Sequence, residues 1–149
     1  NTSDVARAKS LLAEAEQSLR GCLLELRRDF IPVPWAKATS NLGHALAKRA
    51  DHLGTDAGAG LLDEAICTIE SALEVLTREH TPVDWAAAKN KLGIALMQRG
   101  RIDNSTASAK LFDMAVTAFS DSLQIRTPDD MPFEYATTKR NLSIARSLR

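Results

Sequence analysis

The chain has 149 residues, 44% hydrophobic and 26% charged, the composition of a globular protein with a sizeable core rather than a disordered one. Lys plus Arg and Asp plus Glu number 19 each, which excludes an overall field that would draw nucleic acid or an acidic membrane. No apolar run approaches the ~20 residues of a membrane span, and the opening "NTSDVARAKS" lacks the layout of a signal peptide, so a soluble, cytoplasmic chain is expected.

The first predicted element is a helix over about residues 4–28. Cys22 lies within its apolar pattern, as Cys67 does in a later helix, and reduced core thiols are the expectation for both. "IPVPWAKATSNLGHAL" then begins at Ile31 and reads as a second helix. The small, Gly-rich "ADHLGTDAGAG" that follows reads as a loop, with "GTDAGAG" as a flexible connector rather than a phosphate loop. Leu61, Leu62, Ala65, Ile66, Ile69, Ala72, Leu73 and Leu76 next keep the 3.6-residue period through four turns.

"TPVDWAAAKNKLGIAL" opens a fourth helix at Thr81. Thr81 is placed to cap, Pro82 suits the first helical position, and Asp84 meets the free amides. Trp85, Ala88, Leu92, Ala95 and Leu96 share its packing side. "GRIDNSTASAK" is another expected loop before a fifth helix. "MPFEYATTKRNLSIAR", from Met131, supplies the sixth over about 133–148.

The chain therefore repeats with a period of 50 residues: Leu11/Leu61/Leu111, Ala15/Ala65/Ala115, Leu23/Leu73/Leu123, Pro32/Pro82/Pro132, Ala36/Ala86/Ala136, Leu42/Leu92/Leu142, Ala45/Ala95/Ala145 and Arg49/Arg99/Arg149. Each repeat is two helices, and no β-alternation occurs. The expected fold is all-α: about six helices stacked as antiparallel pairs into an α-solenoid. It forms a single domain over 1–149, with repeats at about 1–50, 51–100 and 101–149. The missing Met points to a segment of a longer protein. Leu142, Ile144, Ala145 and Leu148 in the last helix suggest either a longer array or an end that pairs with another copy.

In "TPVDWA", "NKLGIAL" and "LDEAICTIESALEVL", the chain resembles a tetratricopeptide repeat, in the long-unit form of kinesin light chains and bacterial multidomain proteins. The resemblance spans the whole chain. It implies that the first helix of each pair lines a concave wall where partner peptides lie, in some members held by Lys, Arg and Asn at a carboxylate.

Catalysis and metal binding have no visible basis. His44, His52 and His80 fit no HxxxH or HExxH spacing, and no CxxC occurs. Neither an enzyme nor a cofactor or metal is expected. Trp35, Trp85 and Tyr135 share one position beside the proline, which reads as repeat packing rather than a ligand cage.

The candidate peptide-binding face comprises Lys37, Ser40, Asn41 and His44 in the first repeat, Asn90, Lys91 and Ile94 in the second, and Arg140 and Asn141 in the third. On a helix these residues turn away from the packing leucines and alanines. Basic and amide side chains donate to carboxylate or backbone oxygens of an extended peptide. The expected function is a non-catalytic module that binds a peptide or protein in this groove. Its alternatives are a self-assembling scaffold segment, joined through exposed terminal helices, and a regulatory repeat region attached to an effector enzyme.

Overall fold

The computed structural model describes residues 2–25 and 28–149. It contains α1 (Thr2–Glu25), α2 (Pro32–Ala50), α3 (Thr55–Leu73), α4 (Pro82–Ile102), α5 (Ala107–Leu123) and α6 (Pro132–Leu148). No strand occurs among the described residues. The protein is all-α, and its helices form two compact units, Asn1–Val75 and Leu76–Arg149. In the first, α2 packs against both α1 and α3; in the second, α5 packs against both α4 and α6.

The expected loops are shorter than their composition suggests. "GTDAGAG" is no connector, because α3 begins at Thr55 and Gly58 is buried. α4 runs on to Ile102 and α5 starts at Ala107. Tertiary packing overrides the weak helix propensity of glycine here. Between α4 and α5, the Asp103 carboxylate accepts from Ser105 N at 2.8 Å, and Ser105 Oγ accepts from Ala107 N at 3.1 Å. The hydrogen bonds from Ser105 hold the Asp103 carboxyl below its ordinary range.

Three helices start in one way. Ile31, Thr81 and Met131 have φ near −135°, −134° and −139°, and each precedes a proline at the helix start. Proline bars its predecessor from the helical region, so the chain turns sharply before the helix. Thr81 does not cap α4 with its side chain. Its hydroxyl accepts from Thr77 N at 2.9 Å and donates to Thr77 O at 3.2 Å, closing the preceding turn instead. Thr77 and its equivalent Thr127 act alike, accepting at Oγ1 from His80 N and Asp130 N, each at 3.2 Å.

The cores follow from close helix approach. A Cβ on Gly43 would lie 2.4 Å from the Ile69 side chain, and one on Gly93 2.6 Å from the Phe119 ring. The two glycines are equivalent by the repeat, as are their partners. Gly100 sits against Phe112 in the same way. The first repeat has Ala50 and Leu62 there, both buried. A larger ring on one helix is thus matched by a smaller residue on the other, which keeps the packing dense.

The repeated arginine has a structural role. Arg49 Nη1 reaches Glu16 Oε2 at 2.6 Å, tying α2 to α1, and Arg149 Nη1 reaches Asp113 Oδ1 at 2.9 Å, tying α6 to α5. Glu16 also binds Arg20, which reaches Glu64 on α3 at 2.7 Å. Burial would raise the Glu16 pKa, but hydrogen bonds and charge from Arg49 and Arg20 outweigh it and hold the carboxyl low.

Both cysteines are free, yet Cys22 and Cys67 are exposed rather than in the core. Each sits at the margin of its apolar stripe, where the period alone does not separate a buried flank from a solvated one.

Candidate functional site

The expected face divides between the two units. In the first, α2 carries Lys37 and Asn41 exposed, His44 half-buried and Ser40 fully buried. In the second, α4 carries Lys91 and Ile94 half-buried and Asn90 buried, while α6 carries Asn141 half-buried and Arg140 exposed. Ser40 and Asn90, expected at the margin of the face, therefore lie too deep to meet a partner directly.

Asn90 has a different task. Its Oδ1 accepts from Thr138 Oγ1 at 3.2 Å, and Thr138 Oγ1 in turn accepts from Arg126 Nη1 at 2.8 Å. The bond links α4 to α6, and Arg126, just past the end of α5, completes the chain. Thr138 is fully buried and Arg126 half-buried. Desolvation lowers the guanidinium pKa, and the nearby Glu134 charge opposes that shift.

The linkage sets α4 and α6 side by side within the second unit. Ala87, Lys91 and Ile94 on α4 and Thr137, Asn141 and Ile144 on α6 are all half-buried. A solvated outer face would be exposed throughout; these positions instead form a partly covered strip on two helices joined by the Asn90–Thr138 bond. Its chemistry combines one ammonium, one amide and two branched apolar side chains. The amide and ammonium can donate to a peptide backbone or carboxylate, and the isoleucines can cover apolar side chains.

Thr138 and Arg126 are the residues that sequence reasoning missed. Their signal was a break in the repeat: Thr138 stands where Ala88 is found, and Arg126 where Leu76 is found. Ala88 and Leu76 are both fully buried. Two polar residues in apolar columns mark a bond that the other repeats do not have.

The three aromatic positions share one local environment. Trp35, Trp85 and Tyr135 are all half-buried. A cation lies over each ring: Arg28 at 5.2 Å, Lys89 at 5.6 Å and Lys139 at 5.3 Å. Lys89 also pairs with Asp121 at 3.0 Å. Each such contact is worth about 0.5–1 kcal/mol when exposed.

Among the described residues, no three His, Cys, Asp or Glu side chains form a group able to hold a metal ion. None of the described helices is long and apolar enough to cross a membrane. Comparison with protein-family models, curated proteins and solved structures finds no match.

Proposed function

We propose that the chain is a tetratricopeptide-like α-solenoid segment that binds a protein partner without catalysis. The partner offers an extended, acidic peptide to this strip of α4 and α6. The observation that supports this reading is the Asn90–Thr138 bond, which joins the helix that carries Lys91 and Ile94 to the helix that carries Asn141 and Ile144. Arg140, exposed and without an ion pair among the described residues, adds positive charge at the margin.

The test uses a library of fluorescein-labelled acidic peptides and fluorescence anisotropy. Lys91→Glu with Arg140→Glu should weaken the peptides captured by the parent at least tenfold, equivalent to about 1.4 kcal/mol. Parent binding should also weaken with added salt, because exposed charges are screened over about 8 Å at physiological ionic strength. Full affinity in the double variant would move binding away from this strip.

A further inference from the structure

Half-burial without an opposite charge sets Arg126 apart. Three arginines are half-buried among the described residues: Arg49, Arg99 and Arg126. Arg49 meets Glu16 at 2.6 Å, and Arg99 meets Asp103 at 3.7 Å. Arg126 has no carboxylate of the described residues within ion-pair distance. It donates one hydrogen bond, from Nη1 to the neutral Thr138 hydroxyl at 2.8 Å. Desolvation lowers its pKa, and Glu134 opposes this through charge without a hydrogen bond. The loss of hydration around a half-buried cation is ordinarily offset by an anion. Here the described chain supplies none in contact.

The fold does not call for an arginine at this place. Leu26 and Leu76 are its equivalents in the repeat, and Ala38 and Ala88 are those of Thr138. Leu76 and Ala88 are both fully buried, so apolar side chains fill these two places in the second repeat. In the third, a guanidinium and a hydroxyl replace them, and the hydroxyl fixes how the guanidinium lies. Nη1 is engaged by Thr138 Oγ1, which donates onward to Asn90 Oδ1 at 3.2 Å. Nε and Nη2 bond to none of the described residues. They form the edge of the fork that matches the two oxygens of a carboxylate. Asn90 lies on α4, Thr138 on α6 and Arg126 between α5 and α6, so the arrangement is built wholly within the second unit.

We propose that the Nε–Nη2 edge of Arg126 receives a single carboxylate side chain, an Asp or Glu of the acidic partner peptide. The inference rests on the reading of that partner as an acidic peptide. A singly charged group fits better than a phosphate, because the site offers one guanidinium and the Glu134 charge opposes a second negative charge.

Two measurements on the whole chain test this. The first follows the Arg126 Nε–H resonance in isotope-labelled protein, assigned by its loss in Arg126→Leu. Sodium acetate should shift it along a saturating curve, and sodium chloride at equal ionic strength should not. The second uses fluorescein-labelled acidic peptides amidated at the C-terminus, so that only side-chain carboxylates are offered. Arg126→Leu should weaken the peptides that the parent captures at least tenfold. It should melt no lower than the parent, because leucine stands there in the other repeats and the Asn90–Thr138 bond remains. Versions of those peptides with Asn and Gln for Asp and Glu should no longer distinguish the parent from Arg126→Leu. An Arg126 resonance that ignores acetate would overturn the proposal, as would captured peptides that bind Arg126→Leu as tightly as the parent. If no acidic peptide is captured while the acetate response still saturates, the peptide reading fails and the carboxylate receptor stands.

Discussion

Gly93 and Phe119 are in mutual contact so close that a Cβ on the glycine would lie 2.6 Å from the ring. The ring is fully buried, so it cannot swing out to solvent. Gly93→Ala should therefore force α4 and α5 apart and cost roughly 1–3 kcal/mol. Gly60 in α3 is the counterexample, because a Cβ there meets nothing within 4 Å. Gly60→Ala should stabilise by about 0.5–1 kcal/mol through the loss of backbone freedom in the unfolded chain. Thermal melts that shift both variants in the same direction would contradict this account of the packing.

Thr138 is the hinge of the polar chain from Arg126 to Asn90. Thr138→Val keeps the shape and removes the hydroxyl, leaving the buried Asn90 and the half-buried Arg126 each short of a bond. The expected loss is about 1–3 kcal/mol by urea denaturation. In a double-mutant cycle with Asn90→Ala, the two substitutions should be non-additive. Strict additivity would mean that the bond does not hold α6 to α4.

The Glu16 carboxyl is held low by Arg49 and Arg20 despite its partial burial. A depressed folded pKa adds stability that is present above the unfolded value of about 4.3 and lost as pH falls through the folded one. The stability difference between the parent and Glu16→Gln should thus be constant near neutrality and shrink only below about pH 4. A difference that persists undiminished into strong acid would place the effect in packing instead.

Both thiols should react in the folded protein, since Cys22 and Cys67 are exposed. A chromogenic disulfide reagent without denaturant should titrate two thiols per chain in dilute solution. Two slow thiols would restore the expectation of core cysteines.

The order of elements was legible in the sequence because it depends on local, periodic signals. The helices, the prolines that open three of them and the apolar columns recur at 50 residues, and several of those columns mark the buried side of a helix. The column of Leu11, Leu61 and Leu111, however, is not buried in any copy. Leu42, Ala45, Leu92, Ala95, Leu142 and Ala145 are all buried, as their repetition implied. The accessibility of the proposed binding face was legible only in part. Lys37, Asn41 and Arg140 were read as accessible and are exposed, while Ser40 and Asn90 are buried.

What the sequence determined alone was therefore the helical repeat and the identity of its packing stripe. The tertiary structure decided the rest: that Gly-rich "TDAGAG" is helical, that Thr81 closes a turn, and that Asn90 bonds to Thr138. Each of these depends on a neighbour brought close by folding. Helix propensity and period describe one helix and its faces. Whether a polar residue on that helix meets solvent or a partner is set by the distance to the next one, as the 3.2 Å between Thr138 and Asn90 records.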